Sequence, residues 1–219
     1  MFDANCLKLM FVAGSQDFYH IKGGKNDRIN ALLDTLESAL QSKITAFQFR
    51  QKGDLALQDP VEIKQLALEC QKLCQKYSTP FIVNDEAPLA LELKADGVHV
   101  GQEDMAIEEV ITLCKKRQFI GLSVNTLEQA LKARHLDGVA YLGVGPIFPT
   151  QSKKDKQVVG VELLKKIRDS GVKKPLIAIG GITMHNASKL REYGGIAVIS
   201  AITQAKDKAL AIEKLLNHA

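Results

Sequence analysis

The chain has 219 residues and a mass of 24.0 kDa, enough for one domain or at most two small ones; at that mass roughly 71% of the unfolded surface can be buried without a disulfide or metal staple. A hydrophobic fraction of 46% with 25% charged residues excludes disorder, collagen and coiled coil. The net charge of +4 suits anionic small substrates, whereas the absence of Trp, the 5% aromatic content and the scattering of the lysines argue against nucleic acid.

No apolar run approaches the roughly 18 residues of a membrane span. Leu7 to Gly14 is too short and too strand-like for a signal peptide, so a cytoplasmic protein with no membrane partner is expected. Cys70 and Cys74 lie four apart on one helical face and no His pair completes a zinc pattern. With Cys6 and Cys114 they read as buried free thiols.

Eight short apolar runs read as strands. The first, Leu7–Val12, precedes a pattern that places Leu32, Leu33, Leu36 and Leu40 on one helical face. Ile44–Phe49 is followed by Val61, Ile63, Leu66, Ala67, Cys70 and Leu73 at the same spacing. Phe81–Val83, Gly97–Val100 and Phe119–Ser123 come next, with Leu127, Ala130 and Leu131 forming the helical face after them. Tyr141–Val144 precedes Leu163, Leu164 and Ile167. Leu176–Ile179 and Ile196–Ile199 complete the strands, and Ala209, Leu210, Ile212, Leu215 and Leu216 mark a final helix. Near-continuous apolar runs are what the strands of a helix-covered parallel sheet require. Eight strand–helix units fit an α/β fold, a single (β/α)8 TIM barrel spanning residues 1–219. A doubly wound open sheet would want a glycine-rich dinucleotide turn after its first strand, and Gly14-Ser15-Gln16-Asp17 is not one.

A barrel gathers its chemistry at the C-terminal ends of its strands. The second strand ends in Gln48-Phe49-Arg50-Gln51-Lys52, where alternation puts Gln48, Arg50 and Lys52 on one side. Such a run can be an exposed strand edge, but an unpaired Arg in a buried strand is too costly to be idle. Asn84-Asp85 ends the third strand, and the fourth runs through His99 to Gly101-Gln102-Glu103-Asp104. Carboxylates on adjacent strand ends suit an all-oxygen Mg²⁺ site that takes phosphate oxygens from a substrate; the plainer role for Asp85 is a cap on the next helix. His99 reads first as a hydrogen-bonded barrel histidine. Ser123 ends the fifth strand, and Asn125 or Thr126 can cap the helix beyond it. The sixth leads into Gly143-Val144-Gly145-Pro146-Ile147-Phe148-Pro149-Thr150-Gln151-Ser152-Lys153. Prolines stiffen that loop, glycines allow close backbone approach, and two hydroxyls precede a lysine, all suited to phosphate. A merely flexible loop, with Lys153-Lys154-Asp155-Lys156 as a solvated charge run, is the bland alternative. Gly180-Gly181-Ile182-Thr183 and Ser200-Ala201-Ile202-Thr203 follow the last two strands, where barrels of this kind hold phosphate.

In order and spacing, Gln48–Lys52 (QFRQK), Asn84–Asp85, Ala95–Asp104 (ADGVHVGQED), Gly121–Ser123, Gly143–Lys153 (GVGPIFPTQSK), Ala178–Thr183 (AIGGIT) and Val198–Ile202 (VISAI) resemble the thiamine-phosphate synthase family, over nearly the whole chain. The resemblance implies a (β/α)8 barrel. It also implies a transferase joining 4-amino-2-methyl-5-hydroxymethylpyrimidine diphosphate to 4-methyl-5-(β-hydroxyethyl)thiazole phosphate, giving thiamine phosphate and diphosphate. By the same resemblance, Gln48, Arg50, Lys52 and Asn84 bind the pyrimidine diphosphate, Ser123 contacts the pyrimidine and Lys153 the diphosphate. Thr150, Ser152, Gly181, Ile199 and Ser200 hold the thiazole phosphate, and Asp85 and Asp104 hold Mg²⁺. Arg50, Lys52, Ser123 and Lys153 are the candidate catalytic groups. Ser152 stands where a second Thr is common, and no role passes to Glu86 or to the looser Phe11–Asp17 segment.

The residues contain no Ser–His–Asp set and no reactive Cys. With a metal and several cations around the diphosphate, as the resemblance implies, the expected mechanism is metal-assisted departure of diphosphate, with positive charge carried by the aminopyrimidine CH₂, followed by attack of the thiazole nitrogen. A thiazole tautomerase of the same barrel family would share the phosphate site but lack the full diphosphate and metal set. A non-catalytic thiamine-phosphate sensor would be expected to carry an added interaction segment. Oligomeric state is not encoded in any of these motifs.

Overall fold

Eight parallel strands, β1 (Leu9–Ala13), β2 (Ala46–Phe49), β3 (Phe81–Asn84), β4 (Gly97–Val100), β5 (Phe119–Val124), β6 (Val139–Val144), β7 (Leu176–Ile179) and β8 (Gly195–Val198), close on themselves as a barrel in sequence order. The structure is a computed structural model and describes residues 2–115, 117–150 and 157–218. β8 returns to β1 with Leu9 opposite Ile196 and Phe11 opposite Val198, so no sheet edge is left open.

The two faces of each strand serve different cores. Outward residues such as Phe11, Phe47, Phe49, Val98 and Leu142 pack beneath the helices in one large cluster. Inward residues Met10, Val12, Ala46, Ile82, Tyr141, Ile177 and Ala197 fill the barrel. Phe2 closes its lower end, its ring 5.1 Å from that of Phe119 and stacked 6.1 Å from that of Tyr141. The strands look continuously apolar because both faces are buried, yet their upper inward positions, Gln48 and His99 among them, are polar and buried.

The helices are α1 (Lys25–Gln41), α2 (Pro60–Lys76), α3 (Ala87–Glu92), α4 (Ile107–Cys114), α5 (Leu127–Ala133), α6 (Gly160–Asp169), α7 (Ser200–Thr203) and α8 (Lys208–His218). Their starts are chemically marked. Asp59 caps α2 ahead of Pro60, whose missing N–H costs nothing at that position. Thr126 caps α5 and receives Gln129 in return. Leu32, Leu36 and Leu40 are buried as their spacing predicts, whereas Val61 and Leu210 face solvent.

Two departures from the sequence reading and one short helix bear on the fold. β1 starts at Leu9, because Asp3 accepts the Asn5 N–H at 2.9 Å and winds Ala4–Leu7 into a 3₁₀ turn. No α-helix joins β7 to β8; Asn186 Oδ1 accepts the Thr183 N–H at 2.8 Å, and this tight turn leaves a 3₁₀ helix at Ala187–Leu190. The helix after β8 is one turn, α7, so it lends the barrel mouth a few backbone N–H groups and little dipole. Cys70, Cys74 and Cys114 are buried free thiols, and Cys6 is free and half-buried. Among the described residues no helix is long and apolar enough to cross a membrane.

Candidate functional site

A pocket open to solvent sits over the C-terminal ends of the strands. Gln48, Arg50, Asn84 and Ser123 line its β2–β5 side, and Thr150, Gly181, Ile199 and Ser200 line the opposite side. Eight of the candidate site residues therefore face one space. Ser152 and Lys153 lie outside the described residues.

The Gln48–Lys52 run works as expected up to the end of β2. Gln48 points into the barrel, its Nε2 3.6 Å from Met10 Sδ. The strand stops at Phe49, but the Arg50 N–H still donates to the Ala13 carbonyl at 3.0 Å, extending the ladder by one rung. Beneath Arg50 lies a turn the sequence reading left without a role. Gln16 Nε2 donates at 2.8 Å both to the Arg50 carbonyl and to Asp17 Oδ2, and Asp17 Oδ2 also accepts the Gly14 N–H at 2.9 Å. Gly14 has no room for a side chain, since a Cβ there would fall 2.0 Å from the Arg50 carbonyl oxygen.

Lys52 reaches the rim instead of the pocket lining. Its Nζ lies 2.7 Å from Asp85 Oδ2 and 3.1 Å from Asp104 Oδ1. Asp85 does not cap α3; its φ of +65° is left-handed, a conformation Asp tolerates better than most residues, and its N–H donates to the His99 carbonyl at 2.8 Å. Asp104 is aimed by the Gly101 N–H, 2.8 Å from its Oδ2. Burial pushes Asp85 above the ordinary carboxylate range; the Lys52 hydrogen bond opposes this and the neighbouring Asp104 adds to it. Burial also pushes Asp104 upward, but hydrogen bonds with Asp85, the Gly101 N–H and Lys52 outweigh it and hold Asp104 below that range. The two carboxyls titrate as a pair, with Asp85 the later to lose its proton.

Two oxygens from neighbouring strands thus already converge on one cationic centre, the Lys52 ammonium. This hard, all-oxygen donor set fits Mg²⁺. Among the described residues no group of three His, Cys, Asp or Glu side chains completes a protein-only metal cage, so further ligands would be water and diphosphate oxygens.

The far side is shaped by backbone. Ile147 and Phe148 donate to the carbonyls of Ile179 and Gly180 at 2.9 and 3.0 Å, so the segment after β6 pairs with the end of β7 and carries Thr150 to the pocket. Gly181 has φ +64°, and a Cβ on it would fall 2.4 Å from the Pro149 carbonyl oxygen. Its smallness serves the neighbouring loop as well as any ligand.

His99 is hydrogen-bonded at both ring nitrogens, Nδ1 to the Tyr141 hydroxyl and Nε2 to Ser123 Oγ, each at 2.9 Å. Tyr141 went unnoticed in the sequence because a tyrosine in a strand run looks like core. Its one signal was Gly121, a glycine inside an apolar strand on the way from His99 to Tyr141.

The model of the family described as thiamine monophosphate synthase matches residues 18–202. The thiamine-phosphate synthase of Helicobacter pylori (strain HPAG1) is 93% identical over 219 residues, all of both chains. That of Pasteurella multocida (strain Pm70) is 52% identical, covering 97% of this chain and 96% of its own. Among solved structures, a thiamine phosphate pyrophosphorylase from Pyrococcus furiosus is similar with a TM-score of 0.81 and 36% identity, covering 98% of this chain and 96% of its own.

Proposed function

The chain belongs to the thiamine monophosphate synthase family, and we propose that the pocket at its barrel mouth carries every step of that family's reaction. It is a transferase, and its activity is synthesis of thiamine phosphate. The observation that carries the site reading is that one pocket is lined on its β2–β5 wall by Gln48, Arg50, Asn84 and Ser123 and on its β6–β8 wall by Thr150, Gly181 and Ser200. The first wall takes the pyrimidine diphosphate and the second the thiazole phosphate, which brings the thiazole nitrogen toward the pyrimidine CH₂. In the reaction the CH₂–O bond breaks with its electron pair going to the diphosphate, and the thiazole nitrogen lone pair forms the new C–N bond.

Asp85 and Asp104 would hold Mg²⁺, which supplies Lewis acidity toward the leaving diphosphate when bound. Arg50 and Lys52 donate charge-assisted hydrogen bonds to the same oxygens, where negative charge grows as the bond breaks. Ser123 fixes the pyrimidine, Thr150 binds the thiazole phosphate together with Ser152 as expected from the motif, and Lys153, on the same expectation, contacts the diphosphate. Four free cysteines agree with a cytoplasmic location.

Supplying the purified chain with both synthetic substrates and Mg²⁺ should yield thiamine phosphate and diphosphate in equal amounts. Omitting either substrate should yield neither, and EDTA should stop turnover. A folded protein that releases no diphosphate under these conditions would overturn the reading.

A further inference from the structure

We propose that Tyr141 is a positioning residue that fixes His99 in one tautomer and thereby turns the Ser123 hydroxyl hydrogen toward the bound pyrimidine. Strand register brings the groups together. His99 on β4 stands opposite Gly121 on β5, and Gly121 stands opposite Tyr141 on β6, so the two rings meet across a residue without a side chain. A Cβ at Gly121 would fall 2.2 Å from Tyr141 Cζ and 2.4 Å from His99 Nδ1. A Cβ at Gly143, opposite Ser123, would fall 2.8 Å from His99 Cε1. The strand pairing also shifts register between Ile120 and Gly121, where the rings cross. Two glycines and an irregularity thus clear a track through the barrel interior for one hydrogen-bonded chain.

The chain has a direction. Tyr141 is fully buried, and burial pushes its phenol far above any working pH, so it keeps its hydrogen and must donate it. His99 Nδ1 lies 2.9 Å from the phenol oxygen and takes that hydrogen. A neutral ring that accepts at Nδ1 carries its proton on Nε2, which donates to Ser123 Oγ at 2.9 Å. Having accepted there, Ser123 has its own O–H to give to the pocket it lines. Its partner is an acceptor on the ligand, such as a pyrimidine ring nitrogen. This last step rests on the reading of Ser123 as a pyrimidine contact; the tautomer does not.

Long-range ¹H–¹⁵N spectra of the ligand-free protein, with His99 assigned through His99→Gln, test the chain directly. We expect wild-type His99 to be neutral with the proton on Nε2, and Tyr141→Phe to lose that single state. In kinetics with both substrates, Tyr141→Phe should lower kcat about tenfold with little change in the thiazole phosphate KM. His99→Gln, whose amide donor reaches the Nε2 position, should retain more activity than His99→Asn, whose donor reaches the Nδ1 position. A wild-type proton on Nδ1 overturns the proposal, and so does a Tyr141→Phe protein that loses turnover with its His99 tautomer unchanged. The wild-type spectrum needs no variant, so misfolding of Tyr141→Phe leaves that test intact. It needs no substrate either. An absence of turnover in a wild type with the Nε2 proton refutes the assigned reaction alone, whereas normal turnover with the Nδ1 proton refutes the positioning role alone.

Discussion

Lys52 Nζ lies 2.7 Å from Asp85 Oδ2, and the same nitrogen reaches Asp104 Oδ1 at 3.1 Å. The ammonium therefore stands between the two carboxylates assigned to Mg²⁺. Two carboxylates beside a diphosphate site need a compensating cation at all times, and a lysine on a flexible stem can provide it before the ion arrives. Were the ion held there as proposed, the same lysine would be free to turn toward the diphosphate oxygens. On the proposed reading Lys52 would compete with the ion for oxygen ligands and act with it on the leaving group.

That double role predicts opposite changes in Lys52→Met. Without substrates, Mg²⁺ measured by calorimetry should bind more tightly, because its competitor is gone. Two half-exposed ion pairs contribute about 0.2–1 kcal/mol each, or roughly two- to thirtyfold in affinity together. Turnover should fall all the same, for want of a donor to the diphosphate. Weaker Mg²⁺ binding in this variant would mean that Asp85 and Asp104 are not the ion's ligands.

Arg50→Ala should leave the fold intact, since the two contacts that anchor residue 50, from its N–H to the Ala13 carbonyl and from Gln16 Nε2 to its carbonyl, use backbone atoms. The charge-assisted hydrogen bond proposed between Arg50 and the diphosphate would contribute about 1.5–3 kcal/mol, so turnover should drop roughly ten- to a hundredfold or more. An unchanged melting temperature with near-normal kinetics would remove Arg50 from the site.

Why some of this was legible in the sequence and some was not has a physical basis. Strands buried on both faces read as apolar runs, so five of the eight could be placed within a residue of their observed bounds at both ends. The polar strand ends stood out because Arg50, Lys52, Asp85 and Asp104 have no business in a core. Local hydrogen bonds were invisible: Asp3 to Asn5 shortens β1, and Thr183 to Asn186 replaces an expected helix. The Gln16–Asp17 turn escaped notice because its work is to brace Arg50 from another strand. Tyr141 was hidden for a different reason, since its partner His99 lies two strands away and the glycine between them carries no chemistry of its own.

Asp17 gives a pH dependence with a definite sign. Burial raises its carboxyl above the ordinary 3.8, and the Gly14 N–H, Arg50 and Gln16 oppose that without cancelling it. A carboxyl whose pKa rises on folding takes up protons as the chain folds. Its contribution to stability is fully present below 3.8 and is lost as the pH climbs through the raised native value. At neutral pH the ionised group is a net cost, tolerated because it faces Arg50. Asp17→Asn keeps an oxygen for the Gly14 and Gln16 donors, so it should melt higher than the wild type at about pH 7, with the advantage fading toward about pH 4. Thermal melts across that range decide it; an Asp17→Asn protein that is less stable than the wild type at neutral pH would show the carboxylate to be favourably paired.

Gly181→Ala should separate the two walls of the pocket. The left-handed φ of +64° costs an alanine about 1–2 kcal/mol, and its methyl would also meet the carbonyl oxygens of Pro149 at 2.4 Å and Phe148 at 2.7 Å. The segment carrying Thr150 must then move, while the wall lined by Gln48, Arg50, Asn84 and Ser123, on the opposite side, has no reason to. The KM for the thiazole phosphate should rise well above that for the pyrimidine diphosphate. Gly171 provides the control: its φ is +78° and nothing lies within 4 Å of where its Cβ would be. Gly171→Ala should lose a similar amount of stability for the same backbone reason and leave both KM values unchanged. If Gly181→Ala raises the pyrimidine KM instead, the two subsites are reversed; if both glycine variants behave alike in kinetics, the phosphate wall has been misplaced.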